Sequence, residues 1–562
     1  MGTALNGWIR PAAWVVLIAT VLTATPGLAQ PDVRVVRTIW GFSGGGIVNE
    51  YQPVSILIEN RGNEVFAGPL EFIQVELTQR IGLPQVSGPA PLAPGGQRWL
   101  QFMARPREWD AFELKTGLLT SEEIPFVSFD APRRAVRVRD EAEGVARRGS
   151  RADFPARLLP RSVVAYVTLD HLVIDQAPEL DSLQQAAVRD FVYDGGVLHL
   201  FSDGNGGYPE LPGKLADLSP GRSGAPKGPM AFGAGWVMLH SDVGLDVDIL
   251  DVASRWRTAL ATPPRMTLND DTRHFEQLAE ITMPHHQFGW IYGLTALLFL
   301  IIGPLNFWIA RRVRNYGLAL LVTVGAVVGF SAAFFWIGKA GQRGLAGRYV
   351  ATYARALEGG YRFRQLDHLF VARGGRYDFR PQAAAAYHQL GLDRREKVDG
   401  LIYSGVGGQI SLNMPLYSSR QVIAESTVRQ PWIIAPPKLG AEVLTVPEVE
   451  GREILWIRRS STNLTEHFRA DGADRWILAT GGEIDDGRWD RPFPQREYGS
   501  EEHRRTVFER FAAETVEGIR GANREHIYVF ARERGAVPTQ STLEVAEQYI
   551  LYHHIVTEDR PR

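Results

Sequence analysis

At 562 residues, with 61 Lys and Arg against 63 Asp and Glu, the chain is long enough for roughly two to four domains, and its net charge of −2 points to no nucleic-acid partner. It has no cysteine, which excludes disulfides, thiol nucleophiles and Cys-ligated zinc or iron–sulfur centres.

Residues 1–29 read as a secretory signal peptide. Arg10 supplies positive charge, Ala12–Thr23 is a short apolar core, and Pro26 breaks it ahead of Gly27-Leu28-Ala29, where cleavage is expected after Ala29. An uncleaved anchor is the alternative. Residues 30–130 predict an immunoglobulin-like β-sandwich, with strand-like runs at Val54–Asn60 and Phe72–Thr78 separated by turn residues. In residues 131–161 nine arginines outweigh four acids, which predicts a basic strand and linker. A solvated strand face explains that bias better than contact with anionic lipid, because an extracytoplasmic leaflet is less reliably anionic.

Residues 162–265 predict an α/β unit. Strand candidates are VVAYVTL and HLVID, although Val163–Leu169 also has helical character. A helix follows. Ser182 and Gln185 have capping-box spacing, Leu183, Ala187 and Phe191 share a face, and Gly195 stops it. The buried strand Val197–Phe201 and a further strand in AFGAGWVMLHSD complete a parallel βαβ pattern.

Residues 288–310 and 318–338 are uncharged apolar runs of 23 and 21 residues. About 20 such residues cross a bilayer as a helix, which satisfies its own backbone polar groups. Residues 311–317, with Arg311, Arg312 and Arg314, are the expected cytoplasmic loop. The export signal sets the direction, so the expected location is the bacterial inner (cytoplasmic) membrane, two-pass, with both large segments periplasmic. Inside the spans, Gly325, Gly329 and Ala333 form a small-residue row for close helix approach. It serves either packing within the hairpin or docking to a separate membrane protein. Gly303-Pro304 is expected to break or kink the first helix, and Asn306 to bond across to the second helix or to a carbonyl freed by Pro304. With no acid or base inside either span, an ion pathway is not expected. Residues 339–562 predict a β-rich extracytoplasmic region with one amphipathic helix, striped by Phe508, Phe511, Ala512, Val516 and Ile519.

The stretch running from Leu159-Pro160 through LDHLVID to VRDFVYDGGVLHLF resembles class I glutamine-amidotransferase-like domains. Gly303-Pro304-Leu305-Asn306-Phe307 followed by Arg311-Arg312 resembles a poorly characterised family of bacterial exported two-pass membrane proteins. The resemblance spans Asp32 to Glu425. It implies an extracytoplasmic β-sandwich, an amidotransferase-like domain, a two-helix hairpin and a β-rich tail, and implies no settled activity. The expected fold class is therefore a multidomain α+β membrane protein.

No catalytic, cofactor-binding or metal residues are assigned. The amidotransferase fold needs a nucleophilic cysteine, which is missing. Ser202, with His171 and His199, is the nearest substitute for a hydrolase. Gly41-Phe42-Ser43-Gly44-Gly45 matches G-x-S-x-G without the helix that motif requires, and Gly405–Gly408 opens no helix. The adjacent pairs His285-His286 and His553-His554 have poor ligand geometry, and Asp485, Asp486 and Asp490 lack calcium-loop spacing. The leading expectation is a non-enzymatic, membrane-anchored cell-envelope protein without cofactors. Its partners are the bilayer and a membrane-protein or envelope-protein subunit. An auxiliary subunit of an export complex and an envelope hydrolase are the alternatives.

Overall fold

The computed structural model describes residues 32–556 apart from 127–134, 141–145, 220–228, 241–267, 283–287, 390–398, 429–437, 446–451, 479–499, 519–524, 534–538 and shorter intervening loops. The signal peptide, Ser43, His285-His286, Arg314, Gly405–Gly407, the Asp485–Asp490 acids and Ile519 lie outside the described residues.

The N-terminal strands are β1 (Val33–Trp40), β2 (Gln52–Asn60), β3 (Glu71–Glu76), β4 (Gln79–Ser87), β5 (Gln97–Ala104), β6 (Asp110–Lys115) and β7 (Ser121–Ile124). Strands β1, β2 and β5 make one antiparallel sheet, while β4, β3, β6 and β7 belong to a second. Alternate residues point inward from both: Val54, Ile56 and Ile58 of β2 meet Phe72 of β3 and Phe112 of β6. Trp40 seats edge-on against Phe112 and Phe126, and its indole N–H donates to the Pro125 carbonyl at 2.8 Å. The two sheets face each other across this core.

Next come β8 (Ala135–Arg139), β9 (Ala146–Arg148), β10 (Arg151–Pro155), β11 (His171–Ile174), α1 (Ser182–Tyr193), β12 (Val197–Phe201), β13 (Met230–Phe232) and β14 (Gly235–His240). Five parallel strands lie in the order β14-β12-β11-β8-β10, with β13 and β9 antiparallel at the edges. In chain order that is 2-1-3-4-5, the arrangement of one class of doubly wound sheets. The stretch expected to be a basic strand and linker thus supplies β8 and β10 of this sheet. Val163–Tyr166 is a 3-10 helix rather than a strand. The cap of α1 also shifts by one residue: Asp181 accepts from the Leu183 and Gln184 amides, and the Gln184 side chain reaches back to the Asp181 amide. The helix stops as expected, with Gly195 at φ 115°. Gly235 lets β14 lie against the helix end, where any Cβ would overlap the Val192 and Gly196 carbonyl oxygens.

Helix α2 (Leu268–Thr282), which the sequence reading did not anticipate, leads to the hairpin: α3 (Phe288–Leu300), a π turn (Ile301–Leu305), α4 (Asn306–Val313) and α5 (Tyr316–Gly341). Beyond it lie β15 (Gly347–Leu357), β16 (Gly360–Val371), β17 (Gly375–Pro381), β18 (Ala385–Gln389), β19 (Asp399–Ser404), β20 (Gln409–Met414) and β21 (Ser418–Val428). They are followed by β22 (Lys438–Leu439), β23 (Val443–Thr445), β24 (Arg452–Ser460), β25 (Thr465–Ala470), β26 (Arg475–Leu478), α6 (Glu501–Gly518), β27 (Glu525–Glu533), β28 (Thr539–Ser541) and β29 (Val545–Val556). Eleven strands form a sheet ordered β18-β21-β16-β15-β29-β27-β24-β25-β26-β23-β22. Helices α2 and α6 cover one face: Phe275, Leu278, Phe508, Phe511 and Ala512 pack on Tyr349, Leu366, Phe530 and Tyr549.

Strands from beyond the hairpin also enlarge the N-terminal sandwich. β19 pairs in parallel with β4, Ile402 opposite Gln85, and the second sandwich sheet continues as β28-β17-β20-β19-β4-β3-β6-β7. The region after the hairpin is therefore woven into the segment before it rather than standing apart.

Candidate functional site: an exposed hairpin beneath a buried ionic junction

Two helices, Gly289–Arg312 and Tyr316–Gly338, are long and apolar enough to cross a membrane, and neither is buried by the rest of the protein. A pair of core helices in a soluble protein would be covered. Here Phe299, Leu320, Leu321 and Val328 are all more than half exposed. Phe299 apart, the exposed aromatics sort to the ends. Trp290 and Tyr292 begin the first helix and Phe335 and Trp336 end the second, while Phe307, Trp308 and Tyr316 sit at the turn. From Trp290 to Trp308 is about 27 Å at 1.5 Å per residue, close to a bilayer core of about 30 Å. Tyr and Trp favour both membrane–water interfaces because their rings are apolar and their tips polar.

The link is shorter than the expected 311–317. The first helix runs to Val313 and the second starts at Tyr316, so Arg311 and Arg312 occupy the last turn of α4. There the guanidiniums face the negative end of the helix dipole. Gly303-Pro304 does not break the helix. The π turn widens the backbone, and the Asn306 amide donates to the Ile301 carbonyl, so the missing Pro304 N–H is tolerated. Asn306 Nδ2 donates across the hairpin to Thr323 Oγ1 at 2.8 Å. The small-residue row divides: Gly325 and Gly329 face open space, whereas Ala333 is half-buried. The two glycines therefore do not pack the hairpin together.

Outside the hairpin, acids and bases alternate through a buried junction. Arg105 at the end of the sandwich holds Asp271 of α2 at 2.9 Å, and Asp271 meets Arg364 of β16 at 2.5 Å. Arg364 and Arg362 flank Glu425 of β21 at 3.7 and 3.0 Å. Arg362 also grips Asp194 at the C-terminal end of α1, and Asp194 reaches Arg355 of β15 at 3.0 Å. One chain of ion pairs thus joins the sandwich, the pre-hairpin helix, the large sheet and the α/β unit. Burial opposes the charge on Glu425, but Arg362 and Arg364 outweigh it and hold the carboxyl below its usual range. Burial raises Asp271 in spite of its two guanidiniums. The negative end of α1 also points at these arginines. Because α1 runs antiparallel to its strands, the α/β unit docks by the N-terminal edge of its parallel sheet. The C-terminal edge, where doubly wound sheets take ligands, faces away.

At that edge a cleft of about 560 Å³ opens between the β11–α1 loop and the following insert, lined by Pro178, Glu179, Asp181, Glu210 and Pro212. The hydrolase candidates are not assembled. His171 stands opposite Val197, five residues before Ser202, about 16 Å along the strand. His199 and Ser202 point to opposite faces of the sheet by strand alternation. The histidines instead bond to one another and to His240: His171 Nδ1 lies 3.1 Å from His199 Nε2, and His199 Nδ1 lies 2.9 Å from His240 Nε2. Burial, with its two imidazole neighbours, pushes His199 well below the ordinary histidine range, so it stays neutral. His553 and His554 also point apart, as their spacing implied: His553 contacts Tyr353 and His526, and His554 contacts Tyr361. No group of three metal-ligating side chains occurs among the described residues.

No protein-family model and no curated protein matches this chain. Among solved structures, a cycloisomaltooligosaccharide glucanotransferase from Paenibacillus sp., complexed with cycloisomaltoheptaose, aligns over 70% of this chain and 69% of its own at 10% identity. Its TM-score of 0.15 is too low to carry fold or activity across. The molecule is a β-rich, several-sheet protein with two helices able to span a membrane, as a multidomain membrane protein would be.

Proposed function

We propose that this chain is a non-enzymatic, membrane-tethered protein of the cell envelope whose extracytoplasmic body binds or organises partners. The observation that carries the reading is the hairpin: exposed apolar flanks, interfacial aromatics at both ends and arginines at the turn. The strand pairing supports the topology. β4 and β19 belong to one sheet although the hairpin lies between them, so both segments must fold on one side of a bilayer. The N-terminal stretch, read as an export signal, makes that side the periplasm. The amidotransferase-like reading of the α/β unit draws support from its 2-1-3-4-5 order, and its free C-terminal edge is the surface offered to a partner.

The absence of cysteine makes the test direct. A single cysteine at Arg312 should react only with a membrane-permeant maleimide in intact cells. One at Ser121 or Arg373 should react with an impermeant maleimide once the outer membrane is opened. Equal labelling of all three by the impermeant reagent would overturn the two-pass reading. For the partner, photo-crosslinkers at Glu179 and Glu210 should trap a defined envelope protein. The same probes at Arg373 serve as the comparison, and an identical capture pattern from both places would count against the free edge as a docking surface.

A further inference from the structure

Strand register lays a polar row across six strands of the large sheet: Thr427, Arg362, Arg355, His553, Tyr528 and Arg458 stand directly opposite one another in turn. The row runs along the seam where Asp194 docks the α/β unit. Counted along the ionic junction, four arginines (105, 364, 362 and 355) face three carboxylates (Asp271, Glu425 and Asp194), leaving one positive charge in excess. Both ends of the junction are arginines, but Arg105 Nε also donates to the Asn49 carbonyl at 3.0 Å, which sets Arg355 apart. Arg355 is only 8% exposed, and Asp194 engages its Nη1. Its Nε and Nη2 are buried with no hydrogen-bond partner among the described residues. Those two atoms form the side-on fork of the guanidinium, whose parallel N–H bonds match two oxygens of a phosphate or carboxylate.

The neighbours do not supply the missing negative charge. Burial pushes the Tyr353 and Tyr528 hydroxyls up, and burial together with His526 and Arg355 pushes His553 well down, so all three are neutral at pH 7. Both ring nitrogens of His553 are already engaged, Nδ1 by the Tyr353 hydroxyl and Nε2 by His526 Nδ1, so the site rests on the guanidinium fork itself. An uncompensated buried guanidinium is costly, and a bound anion removes that cost.

We propose that Arg355 anchors a binding site for a compact oxyanion, a phosphate, sulfate or carboxylate group, at the seam between the large sheet and the α/β unit. The anion completes the alternation of charge and ties the α/β unit to the sheet through Arg355 and Asp194. The inference does not depend on the envelope reading above.

The test uses the full chain in detergent micelles or nanodiscs. Equilibrium dialysis with inorganic phosphate, at ionic strength held constant with chloride, should show saturable binding to one site per chain. Sulfate and acetate arms separate a tetrahedral dianion from a carboxylate. Arg355→Lys keeps the charge but loses the fork, and binding should weaken at least about tenfold, the worth of one charge-assisted hydrogen bond. Arg355→Gln should abolish it. Absence of saturable binding for all three anions in the wild-type chain would overturn the site, and so would unchanged affinity in Arg355→Lys. If Arg355→Gln does not fold, the wild-type dialysis and the lysine variant still decide.

Discussion

Replacing Glu425 by Gln removes one charge from the centre of the junction while keeping the shape of the side chain. Glu425 lies 3.0 Å from Arg362 and 3.7 Å from Arg364 and is 5% exposed. At an effective dielectric of about 20 those separations correspond to attractions of about 5.5 and 4.5 kcal/mol. The recovered desolvation of the carboxylate offsets much of that sum. Breaking a buried pair by removing one partner typically leaves a net cost of about 3–5 kcal/mol, because the other charges remain buried. The variant should therefore unfold at a clearly lower urea concentration, followed by tryptophan fluorescence of the detergent-solubilised chain. The double variant Glu425→Met with Arg362→Met deletes the orphaned charge as well. Asp194 keeps Arg355, so the double should be more stable than the single. A single-variant loss below about 1 kcal/mol, or a double variant less stable than the single, would refute the view that the junction holds the units together.

Further outcomes follow from the same geometry. Burial lowers His368 and His554 to about 4 from an ordinary 6.5. The unfolded chain therefore takes up these protons first: stability is full above about pH 6.5 and falls as pH drops toward 4, by about 2 kcal/mol per histidine at pH 5. His368→Gln should flatten the slope of urea midpoint against pH between 6.5 and 4, and an unchanged slope would exclude His368 as its source. Gly235→Ala should cost about 2 kcal/mol or more, because the new methyl meets two carbonyl oxygens at the end of α1, and this is measurable as a lower thermal midpoint. Asn306→Leu should weaken the hairpin by about 1 kcal/mol through loss of the bond to Thr323. Disulfide trapping between cysteines placed at Ala310 and Ala319, one turn nearer the link and outside the tested bond, would read this as slower closure.

The hairpin was legible in the sequence because hydropathy is a local quantity that a run of 20 residues settles. So were the strands at Gln52–Asn60 and Glu71–Glu76, short apolar runs bounded by turn residues, but not the strands from beyond the hairpin that complete their second sheet. The cap of α1 was misread by one position because Asp181-x-x-Gln184 and Ser182-x-x-Gln185 both satisfy the same spacing, and only the backbone geometry chooses between them. The rotation of α5, which turns Gly325 and Gly329 away from the first helix, depends on side-chain packing that the small-residue spacing does not encode. The ionic junction left almost no local trace: Arg105, Asp271 and Arg364 are separated by 166 and 93 residues. The one local sign is the short alternation Arg362-Phe363-Arg364 in β16, which marks a strand face but not its partner. Likewise His240 joins His171 and His199 only because β14 follows β12 in the parallel sheet.

The position of β29 sets an order of events in biogenesis. This strand lies between β15 and β27 in the middle of the large sheet, and its first parallel partners are Arg348 and Val545. Pairing across such a span is slow, because chain entropy must be lost before the contacts form. The sheet cannot close until residues near 550 have been synthesised, whereas the hairpin is complete some 200 residues earlier, about ten seconds or more of synthesis at 5–20 residues per second. On the proposed two-pass reading, the hairpin is thus available for insertion before the body closes. During that interval β15 and β16 have an open edge and are tethered within a few residues of the second helix, so a hairpin held in a membrane would also keep the unfinished sheet in place and dilute.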